Sequence, residues 1–139
     1  MPVESKIISL QSKAEMDVID ITEQVSQAIH ESKIKSGIVT IFVPGSTASV
    51  STIEYEPNLV DDFKAAMERI FPSGIKYKHH ETWGDHNGKS HCKATFMGPS
   101  TSVPFRDKKL MLGSWQQIVL LDFDVPARTR EVVLQIVGD

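Results

Sequence analysis

The sequence predicts a single α+β domain, and three observations point there. The chain has 139 residues, an ordinary length for one domain. Only two strongly amphipathic segments stand among many β-rich ones, too few helices for a regular βαβ alternation. The last third is dense in β-branched residues between short turns. Hydrophobic residues make up 40% and charged residues 24%, which permits a packed core and excludes a disordered chain. No linker, internal repeat or low-complexity run divides residues 1–139.

Taken in order, "KIISLQSK" (Lys6 to Lys13) suits a first strand. "DITEQVSQAIHESKI" places Ile21, Val25, Ala28 and Ile29 at helical spacing, with Asp20 or Thr22 as candidate N-cap. "SGIVTIFVPG" is apolar on both faces and bounded by Gly37 and Pro44-Gly45, as befits a central strand. "STASVSTIEYE" reads as extended. After Pro57-Asn58, Leu59, Val60, Phe63, Met67 and Ile70 form one apolar stripe, a second helix that Pro72-Ser73-Gly74 ends.

"IKYKHH" (Ile75 to His80) reads as a short strand. "NGKSHCKATFMG" suits a short third helix, Asn87 as N-cap and Gly98 past its end, although its Thr and Phe suit a strand equally. "TSVPF", the turn "RDKK", "LMLGSWQQIVLLDFD" and "REVVLQIVG" complete a β-rich C-terminal third. The last of these is nearly continuously apolar from Val132 to Val137, which predicts an interior strand.

Composition narrows the function. A net charge of −3 disfavours a general nucleic-acid binder, which shows a basic surplus. No run approaches the ~18–20 apolar residues of a membrane span, and the N-terminus lacks the apolar segment of a signal peptide. A cytoplasmic protein is expected. Cys92 is the one cysteine, so neither a disulfide framework nor a multi-cysteine zinc site is available.

Chemistry concentrates in "HHETWGDHNGKSH", which holds four of the five histidines. His79, His80, His86 and His91, with Glu81 and Asp85, supply more donors than a zinc ion needs, but their spacing matches no zinc motif. Each histidine alone is as readily a solvated bystander, and histidines also serve as general acids and bases without metal. In a strand, His79 and His80 would point to opposite faces. "PGSTAS" (Pro44 to Ser49) offers backbone and hydroxyl donors to a phosphate, or forms an ordinary turn with its hydroxyls satisfied locally. Glu54 and Glu56 share a strand face, as site carboxylates or as solvated ones. Arg106, Lys108, Lys109, Arg128 and Arg130 are candidates for an anion, the first three more simply an exposed turn. Trp83 and Trp115 suit a ligand ring, the core or an interface equally.

Three blocks, "FVPGSTASVSTIEYEP", "YKHHETWGDHNGKSHCKATFMGPS" and "LMLGSWQQIVLLDFDVPARTREVVLQIVG", resemble the YjbQ family in content and order over nearly the whole chain. Some members of that family are described as secondary thiamine-phosphate synthases. The resemblance implies mixed and antiparallel sheets with two main helices and a short third, assembled as a homotrimer, with a pocket near subunit contacts. It assigns catalytic roles to His79, His91 and Glu54. Substrate binding falls to Ser46, Thr47, Asn87, Trp115, Gln116 and Arg130, with Arg128 nearby. His80 is the less favoured register for His79.

Where the family commonly has His-Thr-Thr-Ala, this chain has Gly45-Ser46-Thr47-Ala48, so no mechanism through that first histidine is implied. The expected function is a thiamine-phosphate synthase-like reaction on a small phosphorylated substrate. A divalent metal, zinc or magnesium, is expected at His79 and His91. The alternatives are a non-catalytic trimeric metal- or metabolite-binding protein and a metal-assisted hydrolase.

Overall fold

Alternation of apolar and polar residues builds two sheets, one helical stripe joins the core between them, and two more helices close over the outer face of the smaller sheet. The computed structural model describes residues 1–139. The strands are β1 (Val3–Gln11), β2 (Asp17–Asp20), β3 (Gly37–Phe42), β4 (Ala48–Ile53), β5 (Ser100–Arg106), β6 (Lys109–Leu110), β7 (Gln117–Asp122) and β8 (Thr129–Gly138). The helices are α1 (Thr22–Glu31), α2 (Pro57–Ile70), the single turn α3 (His80–Trp83) and α4 (Gly88–Met97). A five-stranded sheet runs β1-β8-β3-β5-β6, and a three-stranded sheet runs β2-β7-β4. Every ladder is antiparallel, so the parallel pairs of a mixed sheet are absent.

The two sheets face each other. Val39, Ile41, Val103, Val132, Leu134 and Ile136 of the large sheet meet Ala48, Val50, Ile118 and Leu120 of the small one. The buried stripe of α1, Val25, Ala28 and Ile29, belongs to the same core. The far side of the small sheet, Val119 and Leu121, packs with Met67 of α2 and Ala94 of α4 in a second cluster. As its apolar composition predicts, β8 is interior, between β1 and β3.

The outer face of the large sheet is left uncovered. Register puts Val3, Val137, Ile38 and Pro104 in one row and Ile7, Val133 and Phe42 in another. Between them runs a polar row in which Ser5 bonds Gln135 and Thr40 meets Ser102 at 3.0 Å. Ile7, Ile38 and Phe42 are exposed.

Local chemistry corrects several expectations. The N-cap position of α1 is Ile21; Asp20 instead accepts from the Thr22 N–H and hydroxyl at 3.0 and 2.6 Å. Glu56 caps α2, accepting from the N–H groups of Asn58 and Leu59 at 3.1 and 2.7 Å, with Pro57 in the first turn. It serves the helix, and because β4 ends at Ile53 neither Glu54 nor Glu56 lies on a strand.

The strand expected at Ile75–His80 does not form. This segment lies against the start of α4, with Tyr77 and His79 beside Gly88, pairs with no strand of either sheet, and closes turns by bonds such as His80 N–H to the Tyr77 carbonyl. Of the two readings left open for 87–98 the helix is found, ending at Gly98, φ +84°. The short strand β2 was not anticipated; four residues with an aspartate at each end carry little periodicity.

Candidate functional site

Two carboxylates at the end of β7 organise the site. Asp122 and Asp124 follow the apolar run of β7 at alternate positions and are both buried, so each needs partners. Arg130, itself buried on β8, supplies a fork: Nε donates to Asp122 Oδ2 at 2.9 Å and Nη2 to Oδ1 at 2.8 Å. Ser12 adds a donor at 2.6 Å and the Asp124 N–H another at 3.0 Å. Burial works to raise the Asp122 carboxyl, but these hydrogen bonds outweigh it and hold it below the usual carboxylate range. Asp124 is held low in the same way, burial opposed mainly by Arg128. The hydrogen bonds to Asp122 in turn raise Arg130 above its ordinary value.

This ion pair aims the guanidinium at the "PGSTAS" turn. Arg130 Nη2 also donates to Thr47 Oγ1 at 2.8 Å, and Thr47 donates to Asp124 at 3.2 Å. Nη1 alone has no protein partner, and it lies beside Gly45: a Cβ there would stand 3.3 Å from it, on a backbone with φ +122°. Glycine both suits this backbone and leaves the nitrogen uncovered. Gly45, Ser46, Ala48, His91, Ala94, Thr95 and Pro99 line a cavity of about 210 Å³ at this corner.

His91, on α4, reaches the same corner, and His79, the residue before α3, stands behind it. His79 and His91 meet edge to face, ring centroids 4.7 Å apart. Asp85 stands 3.9 Å from His79 Nε2. Asn87 is buried, and with its amide nitrogen turned to Asp85, as the neighbouring acceptors require, it donates at 2.8 Å. The order Asn87, Asp85, His79, His91 is thus a chain of positioning contacts ending at the cavity wall. Asn87 faces inward along that chain and does not line the cavity.

His80 and His86 form a separate stacked pair, centroids 3.7 Å apart, in a depression with Lys76, Tyr77 and Lys89. His79 and His80 diverge, as a strand would have made them do, although the backbone there is helical.

Glu54, Trp115 and Gln116 lie elsewhere in the single chain. Ala48 pairs with Asp122 at one end of β4 and Ile53 with Gln117 at the other; six residues of strand separate these ends by about 17 Å. Gln116 bonds Thr52 at 3.2 Å, Glu54 is exposed, and Trp115 is 77% exposed. Trp83, at 75%, is likewise outside the core.

Asp122, Asp124 and Ser12 were missed by the sequence reading. The signal was present: "DFD" ending an apolar strand, answered by "RTR" opening the next. Lys93 was missed too. It is 1% exposed on α4 with no hydrogen bond or ion pair, three residues after Ser90, whose Oγ is the one buried side-chain polar atom without a partner. Burial pushes the Lys93 ammonium down; Glu68 and Glu15 oppose this and Lys89 adds to it.

Lys93→Met should therefore stabilise the fold by about 1 kcal/mol at neutral pH. Since the folded pKa lies below the ordinary 10.5, charged Lys93 costs stability until it titrates. The gain should shrink as pH rises toward 10.5. Paired melting curves at neutral and alkaline pH measure it.

As a metal site, His79 and His91 fit the donor chemistry of a divalent ion. They are two imidazoles, with the Asp85 carboxylate 3.9 Å behind one of them. No three His, Cys, Asp or Glu side chains of the chain converge on one point, so water or another subunit would complete the shell. No helix is long and apolar enough to cross a membrane.

The family sequence model described as UPF0047 protein YjbQ-like matches residues 6–139. A UPF0047 protein of Archaeoglobus fulgidus is 37% identical over 128 residues, 92% of this chain and 97% of that one. A solved YbjQ-like protein of unknown function from Sulfolobus solfataricus is similar with a TM-score of 0.93 at 33% identity, covering 99% of each chain. A hypothetical protein from Aeropyrum pernix K1 gives 0.90 at 29%, over 98% of this chain and 99% of that one. With sequence and backbone agreeing over nearly the full length, the chain belongs to the YjbQ-like UPF0047 family.

Proposed function

We propose that the protein is an enzyme of small phosphorylated metabolites, with a thiamine-phosphate synthase-like transfer as the reaction to test first. The observation that carries this is the corner where His91 and its partner His79 stand beside an arginine nitrogen with no protein partner. In that transfer the thiazole nitrogen bonds the pyrimidine methylene carbon while the carbon–oxygen bond to pyrophosphate breaks, the electron pair leaving with pyrophosphate. Arg130 Nη1 and Ser46 meet the charge that grows on the leaving oxygens. Thr47 holds Arg130 in place. His91 delivers a proton to the leaving group. A divalent ion at His79 and His91, zinc or magnesium, would add to the neutralisation of that charge when bound.

The test is direct. Purified protein supplied with both substrates and magnesium should form thiamine phosphate. Formation no faster than with a His79→Ala/His91→Ala variant would remove the histidines from catalysis. Convergence of only two imidazoles in one chain also favours the rival reading, a non-catalytic metal- or metabolite-binding protein. Binding of pyrophosphate without turnover of any pyrophosphate ester would select it.

A homotrimer belongs to the same proposal. The two apolar rows on the uncovered face of the large sheet are the surface a second copy would bury. Assembly would also let the Glu54, Trp115 and Gln116 end of one subunit stand against the His91 corner of another. Phe42→Glu, at a side chain already exposed in the single chain, should leave the fold intact and give monomers in sedimentation. A trimer that tolerates it, or a wild-type monomer at micromolar concentration, refutes this surface.

A further inference from the structure

Strand β1 leaves a long edge unpaired. Its one neighbour in the sheet is β8. At the two ends of their ladder, the Ser12 N–H donates to the Arg128 carbonyl at 2.8 Å and the Gly138 N–H to the Pro2 carbonyl at 3.4 Å. Even-numbered residues therefore exchange the bonds with β8. Antiparallel alternation then turns the N–H and C=O groups of Val3, Ser5, Ile7, Ser9 and Gln11 to the open side, where no other element bonds them. Folded proteins blunt a free edge with shortness, proline, a bulge or a cover. β1 is nine residues long, contains no proline and pairs with β8 without a break.

A groove of about 470 Å³ runs beside this edge, with Lys6, Ile7 and Ile8 as one wall and Glu23, Gln24 and Glu31 of α1 on the other. With a helix as its far wall, the groove admits a single extended segment and blocks the edge-to-edge joining of two whole sheets. Its charges are unequal. Lys6 and Glu31 face each other at 3.4 Å across one end. Glu23, two turns back along α1 and about 12 Å away, is exposed and bonded to nothing, which leaves the walls with an uncompensated negative charge. We propose that β1 receives an extended segment of another protein as an added strand. The backbone of that segment pairs with Ser5, Ile7 and Ser9, and a lysine or arginine on its α1-facing side meets Glu23. Main-chain bonds supply the affinity and the alternate side chains the selectivity. This surface is separate from the His91 corner and does not depend on the phosphate reading of it.

The probe is a capped heptapeptide of alternating valine and lysine, with a valine–glutamate peptide as its counterpart. Amide hydrogen exchange on the full chain reads where each binds. At about ten times its dissociation constant, the lysine peptide should slow exchange at Ser5, Ile7 and Ser9 about tenfold. Lys6 and Ile8, already in the β8 ladder, should keep their rates. Ser5→Pro, which removes an edge donor, should weaken the peptide about tenfold. Ser5→Ala, which loses the bond to Gln135 and keeps the N–H, should not. Glu23→Lys, at an exposed helix position, should reverse the preference toward the glutamate peptide.

No protection by the lysine peptide overturns the proposal, and so does equal protection by both peptides in wild type and Glu23→Lys alike. Edge amides that are protected without peptide, in proportion to protein concentration, would give the edge to a second copy and overturn it too. Equal losses from Ser5→Ala and Ser5→Pro would trace the effect to the Gln135 bond and remove the edge from binding.

Discussion

Asp122→Ala is expected to cost about 3–5 kcal/mol of folding stability, the usual effect of removing one partner from a buried ion pair. The loss comes less from the bond than from what stays behind. Arg130 would keep its charge in a buried setting with Thr47 as its remaining hydrogen-bond partner, and Ser12 would lose an acceptor. Removing the cation as well, in Asp122→Ala/Arg130→Met, should recover part of that loss, since the second change deletes the stranded charge. Urea titrations of the three variants measure the cycle. A double variant as unstable as the sum of its singles would contradict the account.

The pH dependence has a definite sign. Asp122 and Asp124 are held below their ordinary values, so their contribution is complete above the unfolded carboxylate range, about pH 4. It fades as pH falls below that range and the folded carboxylates protonate. Wild-type stability should drop steeply there, and the Asp122→Ala variant, already lacking one of these groups, less so.

The second large effect concerns turnover. Under the proposed mechanism His91→Ala should lower the rate by about a hundred- to ten-thousand-fold, the span of general acid catalysis. His79 acts on the cavity through its contact with the His91 ring and does not line the cavity. His79→Ala should therefore reduce turnover less than His91→Ala, and the double variant should be no slower than His91→Ala alone, because the pair works as one unit. Independent multiplication of the two losses would mean separate roles. His80→Ala, in the other stacked pair, should leave the rate unchanged.

The strands and helices that were legible in the sequence are those in which one side chain pattern decides the outcome. The stripe of α2 and the continuous apolar run of β8 needed no tertiary information. Ile75–His80 misled because its alternation, Ile75, Tyr77 and His79, had no neighbouring strand to pair with, and pairing is decided at a distance. For the site, residue type and block order singled out His79, His91, Ser46, Thr47 and Arg130, which the fold brings near one corner. They placed Glu54, Trp115 and Gln116 with them, although these stand at the other end of β4. A block pattern says which residues go together in an assembly and cannot say whether one chain supplies them. The buried carboxylates at Asp122 and Asp124 are hard to read from sequence because the pairing of Arg128 and Arg130 with them is decided by the fold. Most of the arginine charge is spent on the protein itself, and only Nη1 is left over.

The position of β8 sets the timing of folding during synthesis. Its neighbours are β1, at the start of the chain, and β3, so residues 3–11 wait for residues 129–138 to leave the ribosome before their ladder closes. Until then the nascent polypeptide exposes two open strand edges and the apolar faces between them. Contacts this distant along the chain make assembly of the sheet slow, and that interval is when chaperones have most to offer this protein.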